Sequence, residues 1–231
     1  MPDVFEAIDN LRAAWRFKPD PVPDDAIRKI LRAATCAASG GNVQPWRFVV
    51  VRDAAVRRQI GALYLRAWNV YRPATERLLG GVLPPQAQSM LAAAEVLAQN
   101  FHAVPVHIVV GVQLPPPGFA LRDEHGQPLD AGNPYSSIYP AVQNLILAAT
   151  ALGLGTRLIT LHRIYERELK QLLGIPERVE TAALIPLGYP DGTFKRRPRL
   201  PLAAVAFSDQ WGNPLAEPHG TSGARDRLAA R

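Results

Sequence analysis

The chain has 231 residues, 48% of them hydrophobic and 20% charged, which suits a globular protein with one sizeable core. Its formal charge of +6 concentrates only at Lys195, Arg196, Arg197 and Arg199, without a helix-turn-helix, RNP or zinc-finger pattern, so no nucleic-acid partner is expected; a small anionic ligand or a solvated basic loop accounts for the cluster. No apolar run reaches the roughly 18 to 20 residues that span a bilayer, and the opening Met1-Pro2-Asp3-Val4-Phe5-Glu6 lacks a leader pattern, so a cytoplasmic protein with no membrane partner is expected.

The first clear element follows Pro21-Val22-Pro23. Asp24 and Asp25 suit a helix N-terminus, and Ile27, Ile30, Leu31 and Ala34 share one apolar face. The helix is expected to stop near Ser39-Gly40-Gly41, where glycine permits positive φ. Cys36, the only cysteine, lies among small residues of this pattern and reads as core packing rather than as a nucleophile. Phe48 to Val51 and Val104 to Val112 read as buried strands, Pro105 standing at the start of the second. Helices are predicted over roughly 54 to 79 and 86 to 101.

A Pro-rich loop running to about Pro134 is long enough to suggest a lid or binding segment. Ala141 to Leu154 is apolar almost all round, which predicts a helix in mid-core or in a subunit interface. Gly153-Leu154-Gly155 ends it. Thr156 to Leu161 then reads as a strand, Glu166 to Leu173 as a short helix, Thr181 to Leu187 as a strand and Leu202 to Phe207 as a last extended segment. Strands separated by helices, one of them buried, predict an α+β protein in three α/β/α layers with four or five strands. A single domain over 1 to 216 and a loose tail over 217 to 231 are expected, the tail having little to bury.

Several chemistries lack their residues. There is no Gly-x-Ser-x-Gly elbow, His-Glu-x-x-His, cysteine pair or Walker loop, and the five histidines show no metal-ligand spacing. Gly153-Leu154-Gly155 leads out of a helix, so it is not a Rossmann turn, which leads from strand into helix.

One junction carries polar chemistry: Ser39-Gly40-Gly41-Asn42-Val43-Gln44-Pro45-Trp46 between helix and strand. Its amides and mobile backbone suit a ligand, although on spacing alone a helix cap followed by a turn fixed by Pro45 is the favoured reading. This stretch resembles the Ser-x-x-Asn-x-Gln-Pro-Trp segment of the FMN-dependent nitroreductase family. Three more segments resemble that family in the same order: Arg12 to Pro23, Ser137 to Thr156, and Ile185 to Pro190 with the following Arg199-Leu200-Pro201-Leu202. Together they span roughly residues 5 to 211.

The resemblance implies a homodimer with a mixed sheet wrapped by helices and an FMN site in each subunit interface. It implies that Ser39, Gly40, Asn42 and Gln44 reach the flavin of the other subunit, that Gln143 on the central helix faces a flavin, and that Ile159, Thr160 and Leu161 lie along its edge. It also implies a phosphate clamp from Arg12, Ala13, Ala14 and Arg16 together with Arg197 and Arg199. Here the chain departs from the family: Ala13 replaces a hydroxyl and Trp15 stands where a second arginine is expected. The function implied is transfer of reducing equivalents from NAD(P)H through FMN to a small oxidised acceptor, nitroaromatic or quinone, in a ping-pong cycle. The flavin carries the chemistry, so no catalytic side chain is assigned. A flavin carrier or sensor with slow turnover is the alternative.

Overall fold

The computed structural model describes residues 2–78, 80, 83–116, 121–129, 134–192 and 198–215. The expected tail at 217–231, Arg197 with its neighbours Lys195 and Arg196, and parts of the long loop lie outside them. Internal contacts divide the chain into two units, Met1–Phe194 and Lys195–Arg231.

The first unit is built on a four-stranded antiparallel sheet in the order β1-β2-β6-β5, with β1 Trp46–Val51, β2 Val106–Gln113, β5 Gly155–Thr156 and β6 Val179–Gly188. The mixed sheet implied by the resemblance is thus corrected: among the described residues the one parallel pairing is an isolated bridge between Ala13 and Thr156. The central strands are buried on both faces, and successive side chains go to opposite sides. Val106, Ile108, Val110 and Val112 of β2 and Ile185 and Leu187 of β6 join one core, against helices α2 Asp24–Thr35 and α5 Ile138–Ala151. Val109 and Leu184 point into the other, against α3 Ala54–Leu78, α4 Pro85–Asn100 and α6 Glu166–Leu173. The three layers predicted from the pattern are therefore present.

A short helix, α1 Val4–Asn10, was absent from the periodicity reading. Its signal is local, because the Asp3 carboxylate accepts from the Glu6 amide at 2.8 Å as an N-cap. Helix α2 ends at Thr35, earlier than the glycines suggested. Cys36 and Ala37 tighten its last turn by donating to Ala33 and Ala34, both at 3.2 Å, and Cys36 is exposed there rather than packed in the core. Helix α5 is buried along Ile138, Ala141, Val142, Leu145, Ile146 and Ala149, but Tyr139 and Gln143 are exposed. Within one chain it thus has a wet face, which rules out the mid-core alternative of the two expected. The long loop holds a two-stranded hairpin, β3 Leu121–Arg122 with β4 Pro128–Leu129.

The strand expected over Thr156 to Leu161 is shorter. Thr156 pairs with Leu187, and Ile159 exchanges two hydrogen bonds with Leu184 in the same register, at 3.1 and 2.8 Å. Between them Arg157 stands opposite Pro186, which has no N–H to give, and the ladder opens there. In the second unit, the extended segment expected at Leu202 to Phe207 is instead a 3-10 turn at Leu202–Ala204. Ala204 donates to the Pro201 carbonyl at 3.0 Å and Ala206 to Leu202 at 2.9 Å.

Candidate functional site

The strip Arg12 to Lys18 runs extended after α1 and is stitched to the edge of the sheet. Ala14 donates to the Thr156 carbonyl at 2.9 Å, Lys18 to Tyr189 at 2.8 Å, and Asp191 donates back to Arg16 at 3.1 Å. Small residues make this approach possible. A Cβ on Gly155 would lie 2.9 Å from the Ala14 Cβ and 3.3 Å from that of Pro190. Ala14 is wholly buried with its N–H engaged on Thr156, whereas Ala13 and Arg16 are exposed. Arg12 turns one guanidinium nitrogen onto the carbonyls of Asp9 and Leu11, at 2.5 and 2.7 Å. Ile159 is buried in the sheet, Thr160 is exposed and Leu161 half-buried. The structure therefore brings Arg12, Ala13, Ala14 and Arg16 alongside the segment that leads through Thr156 to Ile159, Thr160 and Leu161.

The Ser39 to Gln44 loop forms a second group. Gly41, Asn42 and Gln44 take φ of 56°, 54° and 51°, left-handed conformations interrupted by Val43 at −68°, and two of the three residues carry side chains. Ser39 Oγ accepts from the Gln44 amide at 3.1 Å, Asn42 Oδ1 accepts from Gln44 Nε2 at 3.2 Å, and the Gly40 amide donates to Ser137 Oγ at 3.3 Å. The last bond ties the loop to the start of α5, whose Asn144 holds the Ala33 carbonyl of α2 at 3.3 Å. Gly40, Asn42, Gln44 and Gln143 are exposed. Arg199 is exposed in the second unit.

Two features went unnoticed in the sequence. The Arg157 guanidinium lies over the Trp15 indole, 3.3 Å from the ring centroid, and burial holds its pKa below the usual arginine range, with Tyr64 partly offsetting this. Its sequence signal is a lone cation directly after Gly155-Thr156 in an apolar stretch. The second is a polar network behind Leu161. His162 Nε2 meets Thr181 Oγ1 at 3.0 Å, and Thr181 donates from backbone and hydroxyl to Glu166 at 2.5 and 2.7 Å. Burial pushes His162 down to about 4, so it is neutral at neutral pH. Burial pushes Glu166 upward, but the two bonds from Thr181 and the charge of Arg163 outweigh it and leave the carboxyl below its ordinary range. Tyr135, just before α5, donates to Glu180 at 2.5 Å and is also bonded by Arg163.

This donor set fits a flavin nucleotide. Cations, one of them a guanidinium that has no carboxylate among the described residues, stand beside one segment, and exposed amides on a strained loop stand on another. Among the described residues no His, Cys, Asp and Glu cluster could hold a metal ion, and no helix is long and apolar enough to cross a membrane.

Residues 12–189 match the Nitroreductase family. An NADH dehydrogenase of Thermus thermophilus is 28% identical over 218 residues, covering 89% of this chain and 95% of the relative. Among solved structures, an oxidised iodotyrosine deiodinase bound to FMN and 3-iodo-L-tyrosine has a TM-score of 0.64 at 22% identity, covering 86% of this chain and 96% of that one. The NADPH:FMN oxidoreductase of Vibrio harveyi complexed with NAD+ has a TM-score of 0.65 at 21% identity, covering 90% and 77%. At these identities the two structures speak for the fold.

Proposed function

Because the chain belongs to the nitroreductase family, we propose that it binds FMN in the interface of a homodimer and passes reducing equivalents from NADH or NADPH to a small oxidised acceptor, nitroaromatic or quinone, in a ping-pong cycle. The observation that carries this reading is the pair of donor groups. The strip at the sheet edge offers Arg12 and Arg16 beside the backbone of Thr160 and Leu161, while the loop with positive φ turns Asn42 and Gln44 outward from its own chain. Outward amides on a strained loop suit a ligand shared with a second copy better than a turn that serves only its own fold.

Bound FMN would supply the two-electron chemistry, accepting hydride at N5. The protein's part is to hold and orient it. Asn42 and Gln44 offer amides to the polar edge of the ring, and half-buried Leu161 offers an apolar border. Within the first unit, Arg12 and Arg16 offer cations to the phosphate. No general acid or base is required of the site. His162, held neutral by burial and bonded to Thr181, keeps Leu161 in place rather than moving protons.

A second reading, a carrier or sensor that binds FMN and turns over slowly, is favoured by Ala13 and Trp15, where the family pattern has a hydroxyl and an arginine. Purified protein loaded with FMN and mixed anaerobically with NADH or NADPH separates the two. An enzyme loses its flavin absorbance within seconds and regains it on adding a quinone. A carrier stays coloured for minutes, and a protein that takes up no flavin is neither.

A further inference from the structure

We propose that Arg157, laid on the indole of Trp15, is a flavin-binding residue of this chain, bringing to the site from the exit of β5 the cation that the N-terminal strip lacks at position 15. The inference rests on the FMN reading above. It names one ligand chemistry, an oxygen of the bound flavin that carries negative charge. Two atoms qualify: the phosphate, or the pyrimidine carbonyl edge, which takes up charge when the ring is reduced.

The guanidinium is half-buried, yet among the described residues it has no carboxylate and no hydrogen-bond acceptor. By contrast, other half-buried or partly exposed arginines of this unit meet carboxylates or carbonyls: Arg163 faces Glu166 and Glu180, Arg66 holds Glu168, Arg72 holds Glu95, and Arg57 donates to the carbonyls of His102 and Val104. Tyr64 acts on it electrostatically, but burial pushes that phenol up to about 12, so it is neutral at neutral pH and supplies no counter-charge. A desolvated cation without a counter-ion is costly and rarely kept unless a ligand completes it. Trp15 suits that role. An aromatic face steadies a guanidinium without neutralising it, and stacking leaves the in-plane N–H donors of arginine unused. The pair also sits where flavin is expected. Trp15 follows Ala14, which is bonded to Thr156, and Arg157 occupies the gap in the ladder that Pro186 opens, between Thr156 and Ile159.

The test compares wild type with Arg157→Gln, Arg157→Lys and the double variant Trp15→Arg/Arg157→Gln. Each is titrated with FMN and with riboflavin by fluorescence quenching, and the midpoint potential of the bound flavin is measured. Arg157→Gln should bind FMN about tenfold to a hundredfold more weakly. If the partner is the phosphate, riboflavin affinity stays at the wild-type value and the preference for FMN collapses. If it is the pyrimidine edge, both flavins weaken alike and the potential falls, because the reduced ring loses its cation. Arg157→Lys should retain much of the affinity, and the double variant should recover it. Equal flavin affinities and potentials in wild type and Arg157→Gln would overturn the proposal. So would a lysine variant as weak as the glutamine one, which would make the role one of packing, or a double variant that recovers nothing. A wild type that binds neither flavin would overturn the functional reading itself.

Discussion

The two donor groups of the candidate site are held by different means. The strip Arg12 to Lys18 is a backbone construction, in which main-chain bonds to Thr156, Tyr189 and Asp191 fix it and Gly155 and Ala14 set its distance. The Ser39 to Gln44 loop is tied to its surroundings by side chains: two main-chain bonds close its own turn, Asn42 to Ser39 at 3.0 Å and Val43 to Gly40 at 3.1 Å, and the Ser39 and Ser137 hydroxyls and one amide pair do the rest, in exposed backbone with positive φ. Backbone pairing tolerates almost any outward residue, so the strip can carry Ala13 and Trp15 in place of polar groups without coming apart. The loop depends on its side chains as well as on its turn for shape, and there identity and conformation are coupled.

Acid should act on the first group only, with the largest effect. The strip leans on β6, which packs beside two buried histidines, His107 opposite Pro186 and His162 on Thr181. Burial lowers both to about 4. In the unfolded chain they titrate near 6.5, so their contribution is complete above that pH and is lost as pH falls toward 4. That amounts to about 3 kcal/mol for each residue. Denaturant unfolding at a series of pH values should show this loss, and His162→Leu should remove about half of the slope. A slope equal to wild type in that variant would break the link between the histidine and the sheet.

Gly155→Val should cost about 3 kcal/mol of stability, since its side chain would meet Ala14 and Pro190 and push the strip off the sheet. Flavin binding should fall with it. A variant with wild-type unfolding midpoint and flavin affinity would show that the strip is not fixed by that close approach.

Asn42→Ala tests the other group and should reverse the pattern. Flavin binding should weaken by about 1 to 3 kcal/mol, because a polar atom of the ring loses its partner. Stability should change far less, as the loop is exposed and buries little. Parallel flavin titration and unfolding would measure both. If stability fell and flavin affinity did not, Asn42 would belong to the turn alone. The smallest effect is expected for Cys36→Ala, an exposed C-cap position, within about 0.5 kcal/mol in unfolding and with turnover unaltered.

Much of the fold was legible because it repeats locally. The apolar face of α2, the β-branched runs of β1 and β2, and the limits of α6 follow from periods that a few consecutive residues display. Errors fell where a distant residue overruled that pattern. Thr156 to Leu161 has strand composition, but Pro186 on the neighbouring strand lacks the donor for its middle. Cys36 is a local exception: it sits among alanines, but it caps the end of α2, whose last turn leaves it outside. Of the site, the segments that resemble the family could be named residue by residue, since their motifs are contiguous.

The sequence by itself determined the layered α+β class, the positions of the long helices and central strands, and the family, because each depends on neighbours along the chain. Only the tertiary structure decided that the sheet is antiparallel, that Ala14 is sealed against Gly155, and that Arg157 rests on Trp15. Those facts depend on which distant segments meet and in what register. A side chain's role as paired, buried or available is settled by that meeting, and local pattern carries no record of it.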